Sequence, residues 1–432
     1  MSELSRRNFL KNGFLAGTVM LSPATLLNTK LNAQTADKKE KVRLAVVGAG
    51  SRGQYLMQSV LALQEHENME LVAICDVYEP SIQSALLLAP GVKVFRDYRA
   101  LLEMKNLDGI IVATPLHEHA APTIDALNNG IHVFCEKAMA LTLEDTYAMA
   151  EAHLRTGNVL QIGHQRLFDP RFLKGMNYVH SGEIGKVTQM RAFWHRHNNW
   201  RRPVPSDQPE LERFINWRLY REYSLGLMTE LASHHIQVAN WVKKALPKVV
   251  RGAGSISYWR DGREVEDNVA LIYSYEDGTQ FIYDSMIQNR KYGLELQVMG
   301  DKGTLELENN RMFYEEPPVP PKPPGIVQLI QNLESNVFGK IPLGSSSWEP
   351  ELAIQERGYP ILENNSRPDW WPAWEWRDGS LEQIIGFADA IREGKAIPGL
   401  FEQGYYGSIW TILGQMAIDS GQAVTMPDKY LI

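Results

Sequence analysis

The first residues whose types and spacing could do chemistry are Gly48-Ala49-Gly50-Ser51-Arg52-Gly53. Their spacing is G-x-G-x-x-G. An apolar run, Val42 to Val47, leads into them, and a helix-like stretch from Gln54 to Leu63 follows. In a strand–turn–helix of this kind the first glycine permits a tight turn. The second lets the backbone approach a pyrophosphate, and the third lets the helix pack on the strand. Free N–H groups at the helix start, around Ser51 and Arg52, then face the phosphates. Glycines alone are also compatible with a purely structural turn. The context favours a cofactor: a second apolar run, Glu70 to Cys75, ends at Asp76, where a Rossmann unit places its ribose-binding carboxylate. An acid there favours NAD, because it would repel the 2′-phosphate of NADP. Arg52 is the feature that would serve NADP.

Three more strand-like segments follow. Lys93-Val94-Phe95 is short, Gly109 to Ala113 ends at Thr114-Pro115, and Ile131 to Cys135 ends at Glu136-Lys137. Helical stretches separate them, including Pro122 to Asn129. This alternation predicts an α/β fold, a doubly wound parallel Rossmann sheet over residues 41–165. Ligands of such sheets bind beyond the carboxyl ends of the strands. Gly48, Asp76, Thr114 and Lys137 all fall at those ends.

Hydride transfer from a carbinol needs a base for the hydroxyl proton, and the reverse needs an acid. Lys137 is the first candidate, since a nearby oxidised nicotinamide would depress its pKa. His234 is the second. It lies four residues after Glu230, so both fall on one helical face and the carboxylate could orient the ring. The bland alternatives are a surface lysine and a structural histidine. His195 and His197 alternate along a strand and share one face. No cysteine or further histidine stands at ligand spacing, so no metal is expected.

Beyond residue 166 the pattern changes. Val187 to Trp194 alternates apolar and polar residues. Asn268 to Tyr275, Asp277-Gly278 and Thr279 to Met286 read as a hairpin, and Leu294 to Met299 and Thr304 to Leu307 read as two more strands. Strands in succession predict a C-terminal α+β domain, residues 166–432, with a large, mostly antiparallel open sheet. Its last helices can pack back on the first domain. Residues 315–325 contain six prolines and read as an extended loop. Trp370, Trp371, Trp374 and Trp376 either stack on a sugar ring or pin a long loop to the surface.

These residues together resemble the Gfo/Idh/MocA oxidoreductase family. Its strand-ending Glu-Lys-Pro corresponds to Glu136-Lys137-Ala138, without the proline. Its Thr-Pro with following histidines matches Thr114-Pro115, His117 and His119. Gly163-His164-Gln165-Arg166 resembles its entry into the second domain, and Trp217-Arg218 another element near the cofactor. The family's Asp-x-x-x-His appears as Glu230-Leu231-Ala232-Ser233-His234, and Phe387 to Gly394 matches its C-terminal helix. The resemblance implies a tightly held NAD contacted by Asp76, Thr114, Pro115, His117, His119, Glu136, Lys137, Gln165, Trp217 and Arg218 as well as the glycine loop. It implies Lys137 and His234, supported by Glu230, as acid/base groups, with Arg166 and His195 as further substrate contacts. It also implies a sugar, polyol or glycoside substrate and a homodimer or homotetramer built through the C-terminal sheet. Simple dehydrogenation and the family's redox-neutral glycoside cleavage both remain open, as does a non-catalytic sugar-binding relic.

The bulk properties agree. The chain has 432 residues, enough for two domains, and a net charge of −7 argues against a nucleic-acid surface. Cys75 and Cys135 sit in apolar runs and read as core thiols. Ser5-Arg6-Arg7-Asn8-Phe9-Leu10-Lys11 precedes a modest apolar stretch and resembles a twin-arginine (Tat) signal, with residues 1–33 as the signal peptide. That resemblance implies export of the folded, cofactor-loaded chain to the periplasm by the Tat machinery. An uncleaved signal would leave the chain anchored. Past residue 33 no apolar run approaches the roughly 18 residues of a membrane span.

Overall fold

The computed structural model describes residues 40–315, Leu329 and residues 358–432. The signal-like segment and nearly all of the proline-rich run lie outside the described residues.

The first sheet has six parallel strands: β1 (Val42–Val47), β2 (Met69–Cys75), β3 (Lys93–Phe95), β4 (Gly109–Val112), β5 (His132–Cys135) and β6 (Leu160–Ile162). Their spatial order is β3-β2-β1-β4-β5-β6, the Rossmann order, with its switch point between β1 and β4. Such a sheet is buried on both faces, which explains the near-continuous apolar strands. Leu44 and Val46 of β1 pack into one core, while Ala45 and Val47 pack into another. The helix Ser380–Glu393 packs against the helix Ser51–Leu63 that follows the glycine loop. Phe387 of that late helix meets Phe134 of β5 edge-on, ring centroids 5.9 Å apart.

The second sheet has eight strands: β7 (Val187–His195), β8 (Val249–Ser255), β9 (Asn268–Ser274), β10 (Gln280–Met286), β11 (Leu294–Gly300), β12 (Gly303–Glu306), β13 (Arg311–Tyr314) and β14 (Tyr359–Pro360). Their order is β14-β13-β12-β11-β7-β10-β9-β8. Among the described residues of this sheet, only β7 and β10 pair in parallel. The expected hairpin is present as β9 and β10, in register from Ser274–Gln280 to Asn268–Met286. Strands β6, β8, β13 and β14 were not legible in the sequence. In β8, Val-Val-Arg-Gly-Ala-Gly-Ser, the glycines mask the alternation. A Cβ on Gly252 would lie 2.9 Å from Leu271 and 3.1 Å from Ile418, so glycine there lets the helix Leu400–Ser420 approach the sheet.

Alternation along the strands decides what each sheet face sees. One face packs under the helices Ser233–Lys243 and Leu400–Ser420, with Tyr273 set against Trp410 at 6.2 Å. The other face carries Ile272, 45% exposed. Among the described residues no helix is long and apolar enough to cross a membrane.

Candidate active site

The glycine loop has a backbone that its residues alone permit. Gly48 has φ +94°, and a Cβ there would lie 2.6 Å from the backbone of Ala113 and Thr114. A Cβ on Gly53 would lie 1.8 Å from the carbonyl oxygen of Gly48. Gly50 differs: a Cβ there meets nothing within 4 Å. The helix Ser51–Leu63 starts with no side-chain cap and no acid in its first turn, so its leading N–H groups are free for an anion. Asp76 Oδ2 accepts from the Ala49 N–H at 2.7 Å, and Oδ1 from the Tyr78 N–H at 2.8 Å. A carboxylate has about four acceptor positions, so both oxygens keep capacity for a ribose hydroxyl. Thr114 Oγ1 is buried without a hydrogen-bond partner among the described residues. Free donors, an open approach at Gly50, a poised carboxylate and an orphan hydroxyl fit a dinucleotide.

Arg52 is not available in the way NADP would need. Its Nε donates to Glu136 Oε1 at 2.8 Å, and its guanidinium lies over Tyr55. This joins the glycine loop to the end of β5. His119 also acts within the protein. Its Nδ1 lies 3.0 Å from the Ala138 carbonyl and its Nε2 3.0 Å from the Thr114 carbonyl. Both nitrogens are turned to protein carbonyls, of which a neutral ring donates to one, so His119 sits between the turns after β4 and β5 and has no nitrogen left for the cofactor. Pro115 leads the short turn that carries His117, which packs on Tyr223 with ring centroids 4.6 Å apart.

Lys137 reaches out of the β5 end toward the second domain. Its Nζ donates to the carbonyls of Thr229 and Glu230 at 3.0 and 3.1 Å. Those carbonyls are accessible because Met228–Ala232 is a turn of π-helix ahead of the helix Ser233–Lys243. Such turns displace backbone groups from the regular ladder. Burial pushes the lysine pKa down, and the Glu230 carboxylate partly opposes this. The Lys137–Ala138 peptide is cis, where the resemblance expects a proline.

The π turn also corrects the expected Glu230–His234 pairing. Glu230 Oε2 accepts from Arg218 Nε at 2.6 Å, while His234 Nδ1 is buried without a partner among the described residues. A π turn takes more residues per turn than an α-helix, so the i,i+4 alignment is lost. Trp217 supports this pair, with the Arg218 guanidinium 4.2 Å from its ring centre. His234 is held neutral: burial first, then the Lys137 and Arg166 cations, pushes its pKa well below the usual value.

Around His234 lies a group of side chains in which Arg166 was expected and Trp194, Arg196 and Tyr283 were not. Trp194 is the hub, its ring centre 5.6 Å from that of His234 and 5.7 Å from that of His235. Arg166 and Arg196 lie over the same indole at 5.4 and 4.7 Å. His164 stands edge-on to His234 at 6.1 Å. Burial, aided by Lys137 and Arg166, lowers its pKa to about 3. Neither ring nitrogen of His164 or His235 has a partner among the described residues, nor do the Tyr283 hydroxyl and Arg166 Nη1. Gln165 Oε1, near the same turn, is likewise unpaired. Buried polar groups are ordinarily satisfied, so this concentration of unpaired ones beside Lys137 marks the region as a candidate functional site. Strand alternation alone could have pointed to Trp194, which shares the buried face of Met190 and Ala192.

His195 is the expectation that the strand overturns. As the next residue along β7 it projects from the opposite face to Trp194. There it pairs with Asp284 and packs on Phe193 and Tyr292, away from Lys137 and His234. Of the tryptophans of 370–376, Trp370 and Trp371 pin the loop, while Trp374 and Trp376 stay 45% and 83% exposed. Trp371 is buried and donates to Glu375 at 2.7 Å, Trp370 stacks on His66, and Trp374 packs on Tyr55.

Arg166 keeps its expected position near the site but has an internal partner. Its Nε donates to Glu308 Oε1 at 2.8 Å, with side chains only 8% and 13% exposed. Removing one member of a buried pair leaves the other charge unsatisfied. Arg166→Met is therefore expected to destabilise the fold by about 3 kcal/mol. Adding Glu308→Gln should recover part of that loss, read by urea denaturation.

A Rossmann sheet with a free-donor glycine loop, an acid at β2 and a buried lysine beside a cluster of unpaired polar side chains define a two-domain nicotinamide-dependent oxidoreductase. Residues 42–164 match the oxidoreductase family with the NAD-binding Rossmann fold, and residues 172–306 match the GFO/IDH/MocA C-terminal domain. The chain belongs to the Gfo/Idh/MocA family, and NAD is its cofactor. It is 30% identical to the scyllo-inositol 2-dehydrogenase (NAD(+)) of Bacillus subtilis, over 62% of this chain and 74% of the relative. A glycosyl hydrolase family 109 protein of Stenotrophomonas maltophilia is 27% identical over 44% of this chain and 42% of its own length. In structure, the chain superimposes on a levoglucosan dehydrogenase in complex with NADH with a TM-score of 0.67. That match covers 90% of this chain and 100% of the other at 16% identity, and it speaks for the fold.

Proposed function

We propose that the protein oxidises a secondary hydroxyl of a cyclic polyol or sugar, with Lys137 taking the hydroxyl proton. One observation carries this reading: Lys137 Nζ gives hydrogen bonds to two carbonyls, Thr229 and Glu230. A neutral amine has two N–H bonds and one lone pair, so this geometry leaves the lone pair for a third group, the substrate hydroxyl. In the reverse direction the ammonium's third proton serves the carbonyl oxygen. NAD, when bound, supplies the hydride acceptor. His234, neutral and unpaired at Nδ1, orients a neighbouring hydroxyl, with His164 edge-on to its ring and Trp194 packed against it. Glu230, anchored by Arg218, supplies the negative charge that keeps the lysine pKa from falling further.

The pH dependence follows in sign. The base form is the deprotonated lysine, so kcat/KM for oxidation should rise with pH through the Lys137 titration, below the ordinary lysine range. Glu230→Gln removes a charge that raises that pKa. The rising limb should therefore move to lower pH in the variant, by about one unit if the lost interaction is worth roughly 1.4 kcal/mol. A limb that stays in place, or moves to higher pH, would sink the assignment of Lys137 as the titrating base.

A second reading, redox-neutral glycoside cleavage, is favoured by the likeness to the family 109 glycosyl hydrolase. Purified protein incubated with inositols, free sugars and aryl glycosides, with no NAD added, separates the two. A keto product with reduced bound nucleotide supports the dehydrogenase. Released aglycone without accumulating reduced nucleotide supports the glycosidase. We further propose that residues 1–33 direct export to the periplasm, so that the NAD is carried as a resident group. We also propose that copies associate through the outer sheet face bearing Ile272 and Tyr292, 45% and 69% exposed. Fractionation of cells expressing Arg6→Lys/Arg7→Lys, and light scattering of the purified protein, test these two points.

A further inference from the structure

The segment between β7 and the π turn touches the Rossmann domain at several separate strand ends. Arg202 Nη2 donates to Ser51 Oγ in the glycine loop after β1, at 3.1 Å. Phe214 meets Tyr78, two residues past Asp76 at the end of β2, with ring centroids 5.6 Å apart. Tyr223 packs on His117 after β4 at 4.6 Å. The groove for a dinucleotide runs along those ends, from the adenosine side at β2 to the reacting side at β4 and β5. A chain segment that reaches the loops after β1, β2 and β4 from the other domain must pass across it.

The segment is also braced from within. Asn216, 2% exposed, accepts from the Arg202 N–H at 2.7 Å and donates from Nδ2 to the Arg202 carbonyl and to Glu212. Arg213 lies 4.3 Å from the centre of the Tyr220 ring. The two limbs of the crossing, around Arg202 and around Asn216, are thereby tied together.

We propose that residues 202–223 form a strap that retains the dinucleotide, with Phe214 and Tyr78 closing its adenosine end and Arg202 placing a cation beside the phosphates. This rests on the NAD-binding reading and deepens it: release of the cofactor requires the strap to open, so exchange is slow compared with turnover. Asn216 is a positioning residue, acting through Arg202. Phe214 is 41% exposed, so its ring contributes little to the core.

The test is the release rate of NADH. Protein loaded with NADH is mixed with excess NAD and followed by nicotinamide fluorescence. Phe214→Ala and Asn216→Ala are expected to release NADH about tenfold faster than the unaltered protein, the usual size for losing one aromatic contact or one network bond to a charged group. Phe214→Tyr should restore slow release, and Leu154→Ala, on a distant exposed helix face, should leave it unchanged. Tryptic cleavage after Arg213 should be slower with NAD bound than without. Release at the unaltered rate from folded Phe214→Ala and Asn216→Ala proteins that still bind NADH overturns the strap alone. Failure of the unaltered protein to bind NADH overturns the cofactor reading, and the strap with it.

Discussion

Lys137→Ala is expected to cut kcat by about 10²- to 10⁴-fold, the usual range for a positioned acid–base group, while the purified variant still carries NAD. The separation of the two effects is the informative part. Lys137 is not the anchor of the glycine loop: the donors there are backbone N–H groups and the acid is Asp76, both on other strand ends. The lysine instead crosses to the carbonyls of Thr229 and Glu230, so its loss removes the proton acceptor and a tie between domains. A stability measurement is therefore part of the experiment. Lys137→Met, which keeps the stem and fills the same buried space, should lose activity to a similar extent with less change in Tm. A variant with near-normal turnover would refute the mechanism, whatever its stability.

Gly50→Val separates cofactor binding from folding in the opposite way. Gly50 has φ −68° and ψ −170°, an extended conformation that valine adopts readily, and its Cβ would meet nothing within 4 Å. The cofactor-free fold should then be unaffected. The added side chain projects at the helix start, where phosphate oxygens would take the free N–H groups. Losing one to two such charge-assisted bonds at about 1.5–3 kcal/mol each predicts a Kd for NAD raised by about 10- to 10⁴-fold. Copurifying nucleotide should disappear. The contrast is Gly53→Ala, whose Cβ would sit 1.8 Å from the Gly48 carbonyl oxygen and which should disturb the loop itself. If Gly50→Val binds NAD normally, the phosphates do not approach where the loop geometry puts them.

How much of this was legible beforehand differs by element. The parallel sheet was readable because both its faces are buried, so its strands appear as apolar runs bounded by glycine, acid and Thr-Pro. The glycine loop, Asp76, Thr114 and Lys137 followed directly, since each sits at a strand end by sequence position alone. The antiparallel sheet was readable where one face is wet, as in β9. It was lost in β8, where glycines serve close packing against a helix. Lys137 and His234 could be named as candidates, but the relation between them could not. A π turn of one extra residue exchanged Glu230's expected partner His234 for Arg218, and no propensity in Met-Thr-Glu-Leu-Ala announces it.

The glycine loop therefore stands as the residues themselves determined it: a local strand–turn–helix whose chemistry depends on backbone freedom and on an acid a short distance along the chain. The polar cluster around His234 was decided only by tertiary structure. Trp194 and not His195 faces it because the sheet, once formed, assigns one strand face to the interior. Arg52 is committed to Glu136, and residues 202–223 cross the groove, because segments far apart in sequence are packed side by side. Local pattern encodes which groups stand at strand ends. Long-range packing sets which of them face each other, and it is long-range packing that gathers His164, His235 and Tyr283 around Trp194 and His234 without partners of their own.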